Sequence, residues 1–546
     1  RRASERAAGM RARALVGEVK AEVEAGGRSA SVGAAAVSTD EAVWPEPLTA
    51  SERIRRAASF WGALAPVLAR YQWLQTREEL ASVADVKGTG ADFSDDWEAL
   101  HEDSAVRIRE TLERLQGFYV KSGQLVSTRV DLFPPAFARE LAAMQDSVPP
   151  MDPALARAVV ERELLETPRT GVRLEDAFSE FDDEPVGSAS VAQVHRAVLA
   201  GSGREVAVKV QRPAVEPKML GDVGNLTSLF GLPFLREAFP VDYYVVFSEL
   251  GAQLVQEFDF TIEARNQEII RGRLGKDPAT GRPRVSPVRV PAVVDGMVAP
   301  RCMVMDFVRG VPLSRAGEEM AKRGIEPGSP ESKLFGRKLL SSLTQAFGCM
   351  ILEDGLFHAD PHPGNIFIDE DGACALLDFG QTKQLSETTR RALARLVLLV
   401  AEQPDDVADV DTEAIATLIK SIGVTFVDGA DEVAGAAAAM WLFDSRPELP
   451  GGYDASELSA NSPALAIASF PREMVFVGRS TVLIRGITAR LGLSWSLARQ
   501  WAPIARRVLE EGASTEAAAP AAPRWIEPVL AALSRLAAAL RARAAA

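Results

Sequence analysis

Cysteine is nearly missing from this 546-residue chain: Cys302, Cys349 and Cys374 are the whole set. An odd, scattered trio without a CxxC pair argues against a disulfide framework and against a zinc ribbon, and a reducing interior is the expected setting. No run of about 18 apolar residues occurs, so no transmembrane helix is predicted. Positive charge is not in surplus either. Against 61 Lys and Arg stand 75 Asp and Glu, a net charge of -14, and without a domain-wide basic field to displace counterions nucleic acid is excluded as a partner. Residues 1–48 are short of large apolar side chains and are expected to be disordered. Their Ala-, Arg- and Ser-rich opening has the look of a targeting segment, although Glu5, Glu18, Glu22 and Glu24 break the acid-poor pattern of such peptides. What remains, 47% hydrophobic and 25% charged residues, belongs to a globular protein long enough for at least two cored units.

The densest chemistry lies in LFHADPHPGNIFIDEDGACALLDFGQ, residues 356–381. Ile366-Phe367-Ile368 and Ala375-Leu376-Leu377 predict two short strands around the turn Asp369-Glu370-Asp371-Gly372. That hairpin brings Asp360 and Asn365 at one end together with Asp378 at the other. An aspartate to accept a nucleophile's proton, an asparagine five residues on to hold a metal, and a DFG aspartate to hold metal against phosphates is the pattern of a phosphoryl-transfer centre. His358 and His362 invite a zinc reading, but Pro361, Pro363 and Gly364 preclude the helix that an HExxH site needs.

Taken in order, the chain starts its structure at Ser51, the expected N-cap of a helix carrying Trp61, Leu64, Leu68 and Tyr71, with a kink at Pro66. Residues 86–96 read as a Gly/Asp linker. Ile108, Leu112, Leu115 and Tyr119 then form one stripe running straight into Lys121-Ser122-Gly123-Gln124, where Gly123 implies a helix break or a close approach. A helix around 155–165 precedes strands over 178–199, folded about Gly187-Ser188-Ala189-Ser190, and a third strand, EVAVKV, carrying Lys209. With one glycine the turn is expected to be stiffer than a Gly-rich loop and to offer serine hydroxyls to phosphate oxygens. Residues 245–268 are read as one long helix, on which Glu257 and Glu263 sit about 120° apart. Glu263 is then the expected partner of Lys209, and Glu257 of Lys121. VRVPAVV and the run ending at Met305-Asp306-Phe307 supply two more strands and a hinge. After Asp378-Phe379-Gly380, Ser386 reads as an N-cap at once, with no APE and no room for a peptide-binding segment. Residues 404–440 and 472–511 carry helical patterns. An Ala/Pro linker at 513–523 leads to a basic amphipathic helix suited to an anionic membrane surface or to docking on the protein's own body.

Six pieces standing in register, KSGQ, SASVAQVHRA, VAVKVQRP, EFD with EARN, HADPHPGN and LLDFGQ, resemble the UbiB/AarF-domain atypical kinases, the "activity of bc1 complex" kinases, over roughly residues 100–400. The loop VGSAS departs from the consecutive alanines of many members. The resemblance implies an α+β, protein-kinase-like two-lobed fold with a small antiparallel N-lobe. Its parts would be a targeting-like 1–48, helices with the KxGQ element at 49–150, an N-lobe at 151–310, a C-lobe at 311–400, a helical extension at 401–512 and a tail at 513–546. It further implies that Asp360 is catalytic and that Asn365 and Asp378 bind Mg²⁺. ATP would meet Gly187, Ser188, Ala189, Ser190, Lys209, Glu263, Met305 and Phe307. Lys121, Gly123 and Gln124 with Glu257 and Asp259 would form an occluding layer. The expected role is an atypical kinase or ATPase serving isoprenoid-quinone or other lipid metabolism at an organelle membrane, in a plastid or else a mitochondrion, with a prenylquinone-like lipid as a further ligand. The alternatives are a catalytically silent, nucleotide-gated scaffold or a protein kinase.

Overall fold

The computed structural model describes residues 43–45, 49–84, 93–115, 117–127, 134–142, 149–166, 173–231, 243–278, 280–444, 446, 448–455, 459 and 461–518. Its centre is an antiparallel sheet of β1 (Phe178–Phe181), β2 (Gly187–Ser188), β3 (Ala192–Leu199), β4 (Glu205–Gln211), β5 (Val293–Ala299) and β6 (Cys302–Asp306). The strand order is β1-β3-β4-β6-β5, with β2 on β3. Alternation along β4 decides how this sheet is used, because successive side chains of a strand point to opposite faces. Val206, Val208 and Val210, all buried, pack with Leu155, Val159 and Leu164 of helix α1 (Pro153–Glu166). Ala207 takes the other face, with Phe260 and Ala264 of helix α2 (Phe260–Leu274). Lys209 shares that second face, and so is delivered to α2.

A second cluster lies N-terminal to the sheet. Helices Ala50–Ala84, Ser94–Leu115, Phe118–Ser127 and Pro135–Ala142 gather with Val215–Phe230 and Tyr243–Glu257 around Phe118, Tyr119, Leu141, Met219 and Leu254. Arg56 crosses this cluster to a buried Asp222 at 2.7 Å and donates to the Leu115 carbonyl. The largest core surrounds the helix Pro330–Gly348, and its buried members include Trp441 and Trp501. Against it lie the hairpin β9 (Ile366–Asp369) and β10 (Cys374–Leu376), to which β7 (Gly310–Pro312) adds an edge, and the pair β8 (Leu356–His358) and β11 (Thr382–Gln384). The hairpin register, Ile366 opposite Leu376 and Ile368 opposite Cys374, is the one its apolar alternation dictates, and Gly372 supplies the left-handed turn residue at φ +70°.

Several sequence expectations change here. The 245–268 pattern is two helices. Glu257 ends the first, and Asp259 starts the second as an N-cap whose carboxylate accepts from the Thr261 amide and hydroxyl. The angle reckoned between Glu257 and Glu263 on a single helix therefore does not apply. The first helix is capped by Thr49, not Ser51, through a reciprocal pair with Glu52, and it continues through Pro66. The stripe before KSGQ is interrupted at Gly117, φ +66°, whereas the helix carrying Gly123 is unbroken from Phe118 to Ser127. The expected strand VRVPAVV begins only at Val293. Residues 404–440 divide into Thr412–Ser421 and a helix from Ala434. Residues 472–511 divide at left-handed Gly492, and the second part continues to Ala518, over the start of the expected linker. The membrane-leaning tail helix lies outside the described residues. Among the described residues no helix is long and apolar enough to cross a membrane.

Candidate active site

Lys209 Nζ donates to both carboxylate oxygens of Glu263, at 2.7 and 2.8 Å, and stands 3.6 Å from Asp378 Oδ1. Burial alone would lower the Lys209 pKa, but the carboxylates of Asp378 and Glu263 more than reverse this and keep the ammonium charged. Burial likewise pushes the Glu263 carboxyl up to about 7; Lys209 opposes that push, Asp378 adds to it, and the Phe379 amide donates to Glu263. One carboxylate thus links the β4 lysine to the DFG turn. Asp378 itself sits at φ +59°, a left-handed conformation that costs a non-glycine residue energy, and its Oδ1 accepts from the Gly380 amide at 3.1 Å.

The hairpin closes the other side. Leu377 N donates to Asn365 O at 2.8 Å, so the start of the strand pair sets Asn365 next to the residue before Asp378. From Asn365 a tight turn leads back to Asp360: Asn365 N donates to His362 O at 2.8 Å and His362 N to Asp360 O at 2.7 Å. The Asn365 amide group reaches the same Asp360 carbonyl at 3.5 Å. His358 Nε2 is 3.2 Å from the Leu377 carbonyl, where it must donate, and its ring meets Phe379 edge-on. His362 Nδ1 accepts from Gly364 N at 3.0 Å. Both histidines hold the turn in shape. Asp378 and the Asn365 amide oxygen are hard donors of the kind Mg²⁺ takes, and the few protein donors match its habit of completing its shell with waters and substrate phosphates.

Of the occluding set, Glu257 accepts from Gln381 Nε2 at 3.0 Å, and Asp259 caps α2. Gly123 is buried within its helix. The side chains of Lys121 and Gln124, and with them the expected Lys121–Glu257 pair, lie outside the described residues. Met305 is buried on β6 and Phe307 follows the strand's end, its amide donating to Glu205 O. Two arginines near the site carried no role in the sequence reading. Arg212 donates to Ser188 Oγ at 2.6 Å and to Ala189 O at 2.9 Å. Arg479, on the helix Arg472–Leu491, lies 4.0 Å from Asp360 Oδ1. Its guanidinium and Lys383 Nζ sit 5.4 and 5.0 Å from the Phe476 ring centroid. Arg479 is one of four arginines along that helix, and nothing local in the sequence ties it to Asp360.

A strand lysine paired with a helix glutamate beside a DFG aspartate is the set of parts with which kinases hold a nucleotide's phosphates. Sequence comparison points to the same class: the ABC1 atypical kinase-like domain matches residues 143–410. The chain is 30% identical over 419 residues to Arabidopsis thaliana Protein ACTIVITY OF BC1 COMPLEX KINASE 7, chloroplastic, which covers 75% of this chain and 55% of that protein. It is 35% identical over 294 residues to the Probable protein kinase UbiB of a Shewanella species, covering 53% of this chain and 49% of that one. A solved structure titled "The complex structure of Rv3197-erythromycin from Mycobacterium tuberculosis" overlays 75% of this chain and 97% of its own at 23% identity, with a TM-score of 0.47. The chain spans about half the length of these curated relatives. It belongs to the ABC1/UbiB atypical kinase family.

Proposed function

We propose that the chain is an atypical kinase or ATPase that binds Mg-ATP between the sheet and the Asp360/Asp378 turns, and that it supports isoprenoid-quinone or other lipid metabolism at a plastid membrane. The observation that carries this reading is the meeting of Lys209, Glu263, the Phe379 amide and Asp378 from three separate elements. In it the six-stranded sheet with α2 is the small lobe and the helical body the large one. Protonated Lys209 holds the phosphates, with the Gly187–Ser190 loop above them and Met305 and Phe307 on the hinge side. Asp378 and Asn365 hold Mg²⁺, which when bound neutralises phosphate charge. Asp360 takes the proton of the attacking hydroxyl as its oxygen bonds to the γ-phosphorus. The bond from that phosphorus to the bridging oxygen breaks, and ADP leaves with the electron pair.

The acceptor is water or a small or lipid hydroxyl. From Thr382 the chain pairs directly back onto β8, with Thr382 opposite His358, and the next helix starts at Glu387 under the Ser386 cap. That stretch offers no platform for a peptide. Lys121, Gly123 and Gln124 with Glu257 and Asp259 guard the entrance, a role supported by the Gln381–Glu257 bond. The plastid assignment draws on relatives named chloroplastic. The test is Mg-ATP hydrolysis by purified wild type and Asp360→Asn, with and without a prenylquinone-like lipid. Loss of turnover on the order of a hundredfold or more is expected for the variant, and equal background rates would leave only the silent-scaffold reading.

A further inference from the structure

The loop Gly187–Ser190 has a cation built in behind it. Arg212, one residue past β4, donates through Nη2 to Ser188 Oγ at 2.6 Å and to Pro149 O at 2.7 Å, and through Nε to Ala189 O at 2.9 Å. Its amide donates to Val191 O at 2.9 Å. Arg212 therefore holds the loop at Ser188 and Ala189, and the backbone just past it at Val191. The bond to Ser188 also has a direction. A guanidinium only donates, so the serine oxygen is the acceptor and its own proton is left to give away. A hydroxyl polarised in this manner is matched by an anion.

The charges around the site point the same way. Lys209 faces two carboxylates, Glu263 and Asp378, so that group leaves little positive charge for a polyanion. Arg212 differs: burial lowers its pKa with no carboxylate to offset it, and no described carboxylate lies within ion-pair distance. Among the described residues its guanidinium meets neutral oxygens alone, the Ala189 and Pro149 carbonyls and the Ser188 hydroxyl.

We propose that Arg212, acting through the Ser188 hydroxyl, gives the loop its positive charge toward the phosphates of a nucleoside di- or triphosphate. Arg212 is a positioning residue, and this role rests on the nucleotide reading of the site. The test is the dissociation constant of a fluorescent Mg-ADP analogue for wild type, Arg212→Gln, Arg212→Lys, Ser188→Ala and the Arg212→Gln/Ser188→Ala double variant, at low and high salt. Expected are roughly tenfold weaker binding for Arg212→Gln, a smaller loss for Ser188→Ala and Arg212→Lys, and a double variant no weaker than Arg212→Gln alone, since groups acting in series are not additive. The salt dependence of binding should flatten in Arg212→Gln, which loss of a mere prop would not produce. Wild-type affinity in Arg212→Gln, additive losses, or an unchanged salt slope each overturns the proposal while leaving the nucleotide reading intact. A wild type that binds no Mg-nucleotide removes both. Amide exchange across residues 192–211 checks that the sheet is folded in every variant, and Ser188→Ala and Arg212→Lys decide the matter if Arg212→Gln is not.

Discussion

Gln381 donates from Nε2 to Glu257 Oε1 at 3.0 Å while its carbonyl accepts the Ala359 amide at 2.9 Å. One residue thus ties the end of the helix Tyr243–Glu257 to the backbone beside Asp360. A second tie, Asn266 Nδ2 to Thr382 Oγ1 at 2.9 Å, holds α2 to the same strand. Gln381→Ala is expected to cost about 1 kcal/mol and to speed amide exchange at Ala359 and over 379–384. Exchange unchanged from wild type would show that the link carries no load. Gln381→Glu, which sets a second carboxylate against Glu257, should cost more than the alanine.

The Lys209–Glu263 pair predicts a pH dependence. The Glu263 carboxyl is held up at about 7, above its ordinary 4.5, by burial and by Asp378 against the pull of Lys209. A raised folded-state pKa means that the folded protein binds this proton more tightly than the unfolded chain. Its contribution is fully present below about pH 4.5 and is lost as pH rises through about 7. Lys209→Met removes the pull and raises the Glu263 pKa further, so its deficit against wild type in urea unfolding should grow by about 1 kcal/mol between pH 5 and pH 8, the limit for a group already at about 7 in the wild type. Lys209→Met/Glu263→Leu should recover much of it, because both desolvated groups are gone. A deficit equal at the two pH values would contradict this account.

Local pattern made some of this architecture legible and left some of it hidden. The hairpin of β9 and β10 follows from period-2 apolar alternation closed by a glycine turn. The Ser386 cap was readable for the same reason: it is a short-range signal, and its hydroxyl accepts from Thr389 N. The break before Asp259 was not, because Glu257, Asp259 and Glu263 read equally well as positions on one continuous helix. Only the Asp-x-Thr spacing, in hindsight, marks a cap. Gly117 and Gly492 ended helices inside runs whose apolar spacing continued across them. Arg212 and Arg479 act across the fold on residues far away in sequence, and no periodicity reports such contacts.

Arg479 brings a charge to Asp360 from a helix beyond the matched kinase-like range. Arg479→Gln is expected to lower ATP turnover on the order of tenfold or more, as loss of a preplaced cation near transferring phosphate does. Nucleotide affinity should change little, and Arg479→Lys should retain more turnover than the glutamine. Steady-state hydrolysis set beside nucleotide titration separates the two effects. Weakened binding with unchanged turnover would assign Arg479 to the ground state instead.

The C-terminal helices belong to the core, and the packing at Gly348 makes that testable. A Cβ built there would stand 2.7 Å from Ile504 Cδ1 and 2.7 Å from Trp501 Cδ1, so the helix Pro330–Gly348 meets the helix Leu497–Ala518 with no room for a methyl group. Trp501 is fully buried and its indole donates to Thr344 O at 2.7 Å, which fixes the approach in both distance and rotation. Gly348→Ala should therefore destabilise by about 1–3 kcal/mol through overpacking, and Trp501→Ala by about 3–5 kcal/mol through the cavity and the lost hydrogen bond. In urea unfolding the midpoint should fall with the slope unchanged. A chain ended at residue 410, the limit of the matched family range, should fail to give a soluble, cooperatively unfolding protein, because it exposes the apolar face that Trp441, Phe443 and Trp501 otherwise cover. Cooperative unfolding of that shortened chain at wild-type urea midpoint would place these helices outside the folding unit.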